Sequence, residues 1–237
     1  MAIKARLIAA LLRHGEYQQL PDTPSALQPF PLTKPGAEQA ERSVTLVEGI
    51  LEMFKWSLHP VIDSSRLLRG WQTAEVLCRG LQIGRQDRLQ IESFDALAER
   101  SLGSAANLSL PQIESVLRDD PRFPSPPKGW KSDSHYRLPL QGAESLMDAG
   151  ARVAGHLELR LSALQAQVEV DTVKLFVGHG AAFRHAAHHL GVLPFERIAA
   201  VSMYHCRPVF LERLPDGSWQ HLTGDWKIRS SGDSFDD

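Results

Sequence analysis

The stretch Leu7-Ile8-Ala9-Ala10-Leu11-Leu12-Arg13-His14-Gly15 decides how the chain folds. Six apolar residues run without polar alternation, so both faces of the segment demand burial, as in a central strand of a sheet covered on both sides. Arg13-His14-Gly15 closes the run and delivers a cation and an imidazole to the strand's end. Val61-Ile62-Asp63-Ser64-Ser65 and Val173-Lys174-Leu175-Phe176-Val177 have a similar form, the second broken by Gly178-His179-Gly180. Leu89-Gln90-Ile91-Glu92-Ser93-Phe94 alternates and reads as a further strand.

Helical patterns separate these strands. After Thr33, the residues Ala37, Ala40, Val44, Val47, Ile50, Leu51 and Phe54 recur at spacings of three and four. A second pattern from Arg69 carries Trp71, Ala74, Val76 and Leu77, with Gly80 as its expected stop. Gly142 to Gln165 and Ala181 to Leu190 give two more helices, and Pro208 to Leu211 with Trp219 to Leu222 predict a closing hairpin around Pro215-Asp216-Gly217. The alternation predicts an α/β fold: a three-layer α/β/α sandwich with a mostly parallel central sheet, whose ligand crevice opens at the carboxyl ends of the strands. Both His14 and His179 fall at such ends. Pro21, Pro24, Pro29, Pro31 and Pro35 make the segment beside His14 a surface loop, and Pro121, Pro124, Pro126 and Pro127 mark an insertion or lid at about 104–140. The expected organisation is a single domain over 1–229, followed by a flexible polar tail at 230–237.

With 237 residues, one large α/β domain accommodates the chain. The 26 Lys and Arg against 28 Asp and Glu leave a net charge of -2, so no global positive field draws it to nucleic acid or to an anionic membrane surface. The apolar runs are too short to span a bilayer and no export signal opens the chain, so the expected location is cytoplasmic. Two cysteines, Cys78 and Cys206, make no disulfide framework and read as inert packing thiols. His185 and His189 share a helix face and His188 adjoins them, but no glutamate flanks His185 and no third ligand is evident. They read as a half-exposed helical pair, with no metal and no cofactor expected.

Taken singly, each strand-end motif is weak. A histidine after a strand is more often a loop residue than a catalyst, Arg69 alone is a helix-start cation, and Asp95, Glu99 and Arg100 alone suggest an exposed helical charge face. Together and in order, Arg13-His14-Gly15; Leu32-Thr33 with Gly36 and Gln39-Ala40; Ser65 to Ala74; Leu97 to Arg100 with Gly103; Pro139 with Gly142 and Glu144-Ser145; and Gly178-His179-Gly180 resemble the histidine phosphatase superfamily, the phosphoglycerate mutase-like family, over most of the chain.

The resemblance implies a phosphoryl-transfer enzyme in which His14 attacks phosphorus and becomes a phosphohistidine. Arg13, Arg69 and His179 then hold the phosphoryl oxygens, and Glu99 acts as general acid and then base. Phosphate monoesters hydrolyse so slowly in water that a catalyst must position a nucleophile and neutralise the transferred group's oxygens, and guanidinium forks suit that task. Gly36, Gln39 and Glu144 fit packing and loop geometry better than chemistry. Departures from the mutase branch bear on the reaction: its His-Tyr pair and its lysine, which hold a substrate carboxylate, are replaced here by Ser101-Leu102 and Ser109-Leu110. In place of its paired arginines only Lys131 and Arg137 stand, and the common asparagine six residues after the nucleophile is Leu20, for which Gln18 or Gln19 is the expected substitute. The expectation is a metal-independent phosphomonoesterase acting on a small phosphorylated metabolite. A mutase-like phosphoryl transferase, a phosphoprotein phosphatase and a phospho-ligand binding module are the alternatives, and the oligomeric state stays open.

Overall fold

The computed structural model describes residues 5–229, so the tail expected at 230–237 lies outside the described residues. In chain order the elements are β1 (Leu7–Arg13), α1 (Lys34–Phe54), β2 (Ser57–Leu58), β3 (Val61–Ser65), α2 (Leu68–Gln82), β4 (Gln90–Phe94), α3 (Leu110–Asp119), α4 (Leu146–Leu164), β5 (Thr172–Gly178), α5 (Gly180–His189), α6 (Phe195–Ile198), β6 (Val201–Ser202), β7 (Val209–Arg213), β8 (Trp219–Thr223) and β9 (Lys227–Ile228). The main sheet runs β4-β3-β5-β1-β7-β8, with β2 also pairing β5. Its neighbouring strands pair in parallel except at β1–β7 and β7–β8, so β7 alone runs against the others.

β1 sits between β5 and β7, as its unbroken apolar run requires. Its side chains alternate between two cores: Leu7, Ala9 and Leu11 pack with Val153, Leu157 and Phe183 of α4 and α5. Ile8, Ala10 and Leu12 pack with Val47 and Leu51 of α1 and Ala74 and Leu77 of α2. Full burial of each such Leu or Ile contributes about 1.5–3 kcal/mol, so this strand anchors both faces of the sandwich.

The helices follow the expected patterns with three corrections. Phe54, expected on the buried face of α1, is 45% exposed and stacks on Trp56, because the helix ends there at Lys55 in a left-handed conformation. Trp71, expected in the apolar stripe of α2, is also substantially exposed. Gly80 does not stop α2, which runs on to Gln82; instead it lies against α1, where a Cβ would stand 2.5 Å from Val44 Cγ2. This glycine serves close helix packing rather than termination. Elsewhere capping sets the boundaries: Thr33 Oγ1 accepts from the Gly36 amide at the start of α1, and Ser145 with Asp148 forms a capping box that starts α4 at Leu146.

The segment between β4 and α4 has a small apolar core of its own. Ile113 and Leu117 of α3 pack with Leu102, Ala105, Trp130 and Leu138, and Ala26 from the proline-rich loop after β1 joins them. The Leu110 amide donates to the Asp22 carbonyl at 2.8 Å, so this segment and the loop after β1 are fastened to each other. Among the described residues, no helix is long and apolar enough to cross a membrane.

Candidate active site

The carboxyl ends of β1, β3 and β5 and the first turn of α2 converge. The His14 amide donates to the Gly178 carbonyl at 3.0 Å, which fixes the end of β1 against β5 and sets the His14 and His179 rings 4.9 Å apart. The chain then turns tightly beneath α1: a Cβ on Gly15 would strike the Gly36 carbonyl, and one on Gly36 would strike that of Glu16, so both positions need glycine. Arg69, fully buried, donates from Nε to His14 Nε2 at 3.1 Å. Its other nitrogens donate to the Gln28 carbonyl at 2.6 Å and the Ala26 carbonyl at 2.8 Å, and its guanidinium lies 4.4 Å from the centre of the Tyr17 ring.

Arg13 packs along Gly180 and donates from Nη1 to the Met203 carbonyl at 3.1 Å. His179 holds the N-cap position of α5, its side chain making no capping hydrogen bond, so the positive end of that helix faces the same crevice. Glu99 does not belong to an exposed charge face. The chain at Asp95–Leu97 makes only a single 3-10 turn, and both Glu99 and Arg100 are buried. Glu99 Oε1 accepts from the Arg100 amide, and with Ser25 and Ala26 the residue lines a cavity of about 10 Å³.

Hydrogen bonds fix the protonation of His14. Its Nδ1 lies 2.7 Å from the Gly15 carbonyl, which can only accept, so Nδ1 carries the proton and Nε2 presents a lone pair to Arg69. Burial, then the neighbouring charges of Arg69, His179, Arg13 and His205, hold the His14 imidazole well below its ordinary pKa. Burial, then Arg69, Arg13 and Arg152, do the same to His179. The His179 Nε2 shares a 2.9 Å hydrogen bond with Ser65 Oγ, while Nδ1 is buried with no partner among the described residues. The arrangement therefore offers a neutral nucleophilic nitrogen, two guanidinium groups, a second neutral imidazole and a carboxyl group.

The crevice is closed in this structure. His14, Arg69, Glu99 and His179 are all under 5% exposed, and the segment from Pro21 to Gln28 lies over them. Gln28, itself fully buried, secures that segment by accepting from the Leu20 amide and donating to the carbonyls of Thr23 and Pro24. Asp22 and Ala26, at φ of 51° and 22°, hold left-handed conformations uncommon for residues with a side chain.

Tyr17, Gln28 and His205 belong to this site and escaped the reading of the sequence. His205, in the chain ahead of β7, enters through a bridge to Arg13 at the end of β1: its Nδ1 donates to the His14 carbonyl at 2.6 Å. No local spacing signals that pairing. Neither expected asparagine substitute reaches His14: Gln18 is exposed, and the Gln19 amide donates to the Thr23 carbonyl. Gln39 accepts from the Glu16 amide and Glu144 pairs with Arg152 at 2.8 Å, as suits packing and loop geometry. Arg137 is held by Asp148 at 2.6 Å. His185 is buried rather than half-exposed, since α4 approaches closely at Gly150, and it bonds the Ala181 carbonyl and Ser134. Among the described residues, no group of three His, Cys, Asp or Glu side chains is placed to hold a metal ion.

The model of the histidine phosphatase superfamily, branch 1, matches residues 9–225, from within β1 to the end of the sheet. The chain belongs to the histidine phosphatase superfamily. Family membership makes it a phosphatase-type hydrolase. No curated protein matches it by sequence. Among solved structures, this histidine phosphatase is similar to mycobacterial glucosyl-3-phosphoglycerate phosphatase, with 20% identity, a TM-score of 0.65, and coverage of 95% of this chain and 99% of that one. It is also similar to the alpha-ribazole phosphatase of Shigella flexneri, with 21% identity, a TM-score of 0.66, and coverage of 95% and 100%. At these identities the likeness is one of fold.

Proposed function

We propose that this histidine phosphatase is a metal-independent phosphomonoesterase that works through a phosphohistidine at His14 on a small phosphorylated metabolite. The observation that carries the reading is the His14 tautomer: with Nδ1–H committed to the Gly15 carbonyl, the Nε2 lone pair is directed at the Arg69 guanidinium, where a phosphoryl group would be neutralised.

In the first half-reaction, Nε2 attacks phosphorus as the bond to the leaving oxygen breaks, and the Glu99 carboxyl gives that oxygen its proton. In the second, the Glu99 carboxylate takes a proton from water, the water oxygen bonds to phosphorus, and the N–P bond breaks to release phosphate and neutral His14. Arg13, Arg69 and His179 hold the equatorial oxygens throughout, replacing solvent by fixed donors. Admission of substrate requires the segment 21–28 to withdraw, since a phosphoryl group does not fit beside Glu99 while it is in place.

Two features favour a small metabolite and hydrolysis over mutase chemistry. The relatives of like fold are named for phosphatases of small phosphorylated metabolites. Leu102, standing where the mutase branch carries a carboxylate-binding group, is buried in the apolar cluster around Ile113 and Leu117. Cys78 and Cys206 are free thiols, in keeping with a cytoplasmic enzyme.

The test is phosphate release from p-nitrophenyl phosphate and a metabolite panel in the presence of a chelator. Release is expected from the wild type, none from His14→Ala, and a strongly reduced rate from Glu99→Gln. Full activity in His14→Ala, or conversion of a phosphoglycerate to its isomer without net phosphate release, overturns the reading.

A further inference from the structure

A second cavity, of about 700 Å³, opens between α1 and the turn that leads into β7. Its volume lies within the range of roughly 300–1,000 Å³ common for small-molecule sites. None of the five residues assigned to phosphoryl transfer lines it.

Its walls have a consistent chemistry. Arg42 projects from α1 and Arg207 from the opposite turn. The Arg42 side chain is 69% exposed, with the Glu38 carboxylate 3.9 Å away. Arg207 lies over the Tyr204 ring, 5.0 Å from its centre, so a cation and an aromatic face share one wall. Leu46, 40% exposed, supplies apolar surface on the other. On the same wall Ser43 is 2% exposed, and its hydroxyl is buried with no hydrogen-bond partner among the described residues. A buried polar group left unmet is costly, and a ligand's acceptor or donor would satisfy it.

We propose that this cavity is a second ligand site, taking a small organic anion with an apolar or aromatic body. The two guanidinium groups would hold a carboxylate, phosphate or sulfonate, and Leu46 and Tyr204 would take the body. Asp225, which also lines the cavity, disfavours densely charged polyanions. His205 supplies the route to catalysis, because it lines this cavity and also donates to the carbonyl of His14. The anion is either a distal part of the substrate or a separate effector, and the chemistry of recognition is the same for both.

The site is tested with anilinonaphthalene sulfonate, an aromatic anion whose fluorescence rises in apolar surroundings. Saturable binding is expected in the wild type and in His14→Ala, weakened at least about tenfold in the double variant Arg42→Gln/Arg207→Gln, as loss of two charge-assisted contacts implies. Both arginines are exposed, so the double variant keeps its thermal midpoint. No fluorescence rise in the wild type, or a rise that survives both substitutions, overturns the proposal. Competition between the probe and the preferred metabolite substrate assigns the cavity to a distal part of the substrate; a changed kcat for p-nitrophenyl phosphate at saturation assigns it to an effector. Because binding is read by fluorescence, the result stands apart from the fate of the phosphatase reading.

Discussion

Arg69 Nε lies 3.1 Å from His14 Nε2, and the same guanidinium donates to the carbonyls of Ala26 and Gln28. One buried cation thus touches the nucleophile and fastens the segment that covers it. Arg69→Lys keeps the charge but loses the planar fork. It is expected to lower kcat/KM about 10²–10³-fold, the range seen when a preorganised transition-state donor is removed. It should also speed proteolytic nicking within 17–32, and an unchanged nicking rate would show that the guanidinium does not secure the cover.

The depressed pKa of His14 has a kinetic signature. Because burial and neighbouring cations keep the imidazole neutral well below its ordinary value, kcat/KM should show no acid inflection near about 6.5, the unperturbed histidine value. A pH profile with an inflection there would contradict the assignment of His14 as a buried neutral nucleophile.

His185 predicts how stability depends on acid. Burial pushes its imidazole down to about 4, whereas in the unfolded chain it titrates near about 6.5. A folded-state pKa that is depressed confers stability above the unfolded value, and this stability is lost as pH falls from 6.5 through 4. Its size is about 3 kcal/mol. Urea unfolding at several pH values should therefore show a shallower acid slope in His185→Leu than in the wild type. Equal slopes would remove His185 as the cause.

Asp63 lies at the centre of a buried charge cluster on β3, with Lys174 Nζ at 2.7 Å, Arg160 Nε at 2.8 Å and His156 Nε2 at 2.9 Å. Burial alone would raise its pKa, but the hydrogen bond from His156 and the Lys174 and Arg160 contacts outweigh it and hold the carboxyl below its ordinary value. This stability is present above the unfolded carboxylate range and is lost as pH falls through the lower folded value. Asp63→Ala strands the Lys174 ammonium in the core and should cost about 3–5 kcal/mol in chemical unfolding. A cost under about 1 kcal/mol would mean the cluster is not a coupled unit.

Gly80→Ala should destabilise the fold by about 1–3 kcal/mol, since its methyl group meets Val44 across the α1–α2 contact. Adding Val44→Ala should restore part of the loss. Strict additivity of the two changes in thermal unfolding would sink this steric account.

The layered α/β fold is legible in the sequence, because the period of the apolar residues reports which faces must be buried: Leu7 to Leu12 satisfies both faces only inside a covered sheet. The sequence also marked His14, Arg69 and His179, because strand ends and helix starts are legible locally and parallel strands bring such ends together. It misread Gly80, Phe54, Trp71 and His185, since a residue's local pattern does not say whether another helix approaches it. Tyr17, Gln28 and His205 were invisible for a related reason. Gln28 and Tyr17 act through a loop with no periodicity, and His205 meets His14 through a bridge between the end of β1 and the chain ahead of β7, nearly two hundred residues apart. The closure of the crevice by Pro21 to Gln28, the tautomer of His14 and the cavity beside Arg42 and Arg207 were likewise decided by the tertiary structure. Each depends on burial and on hydrogen bonds between segments far apart in the chain, which neither composition nor spacing encodes.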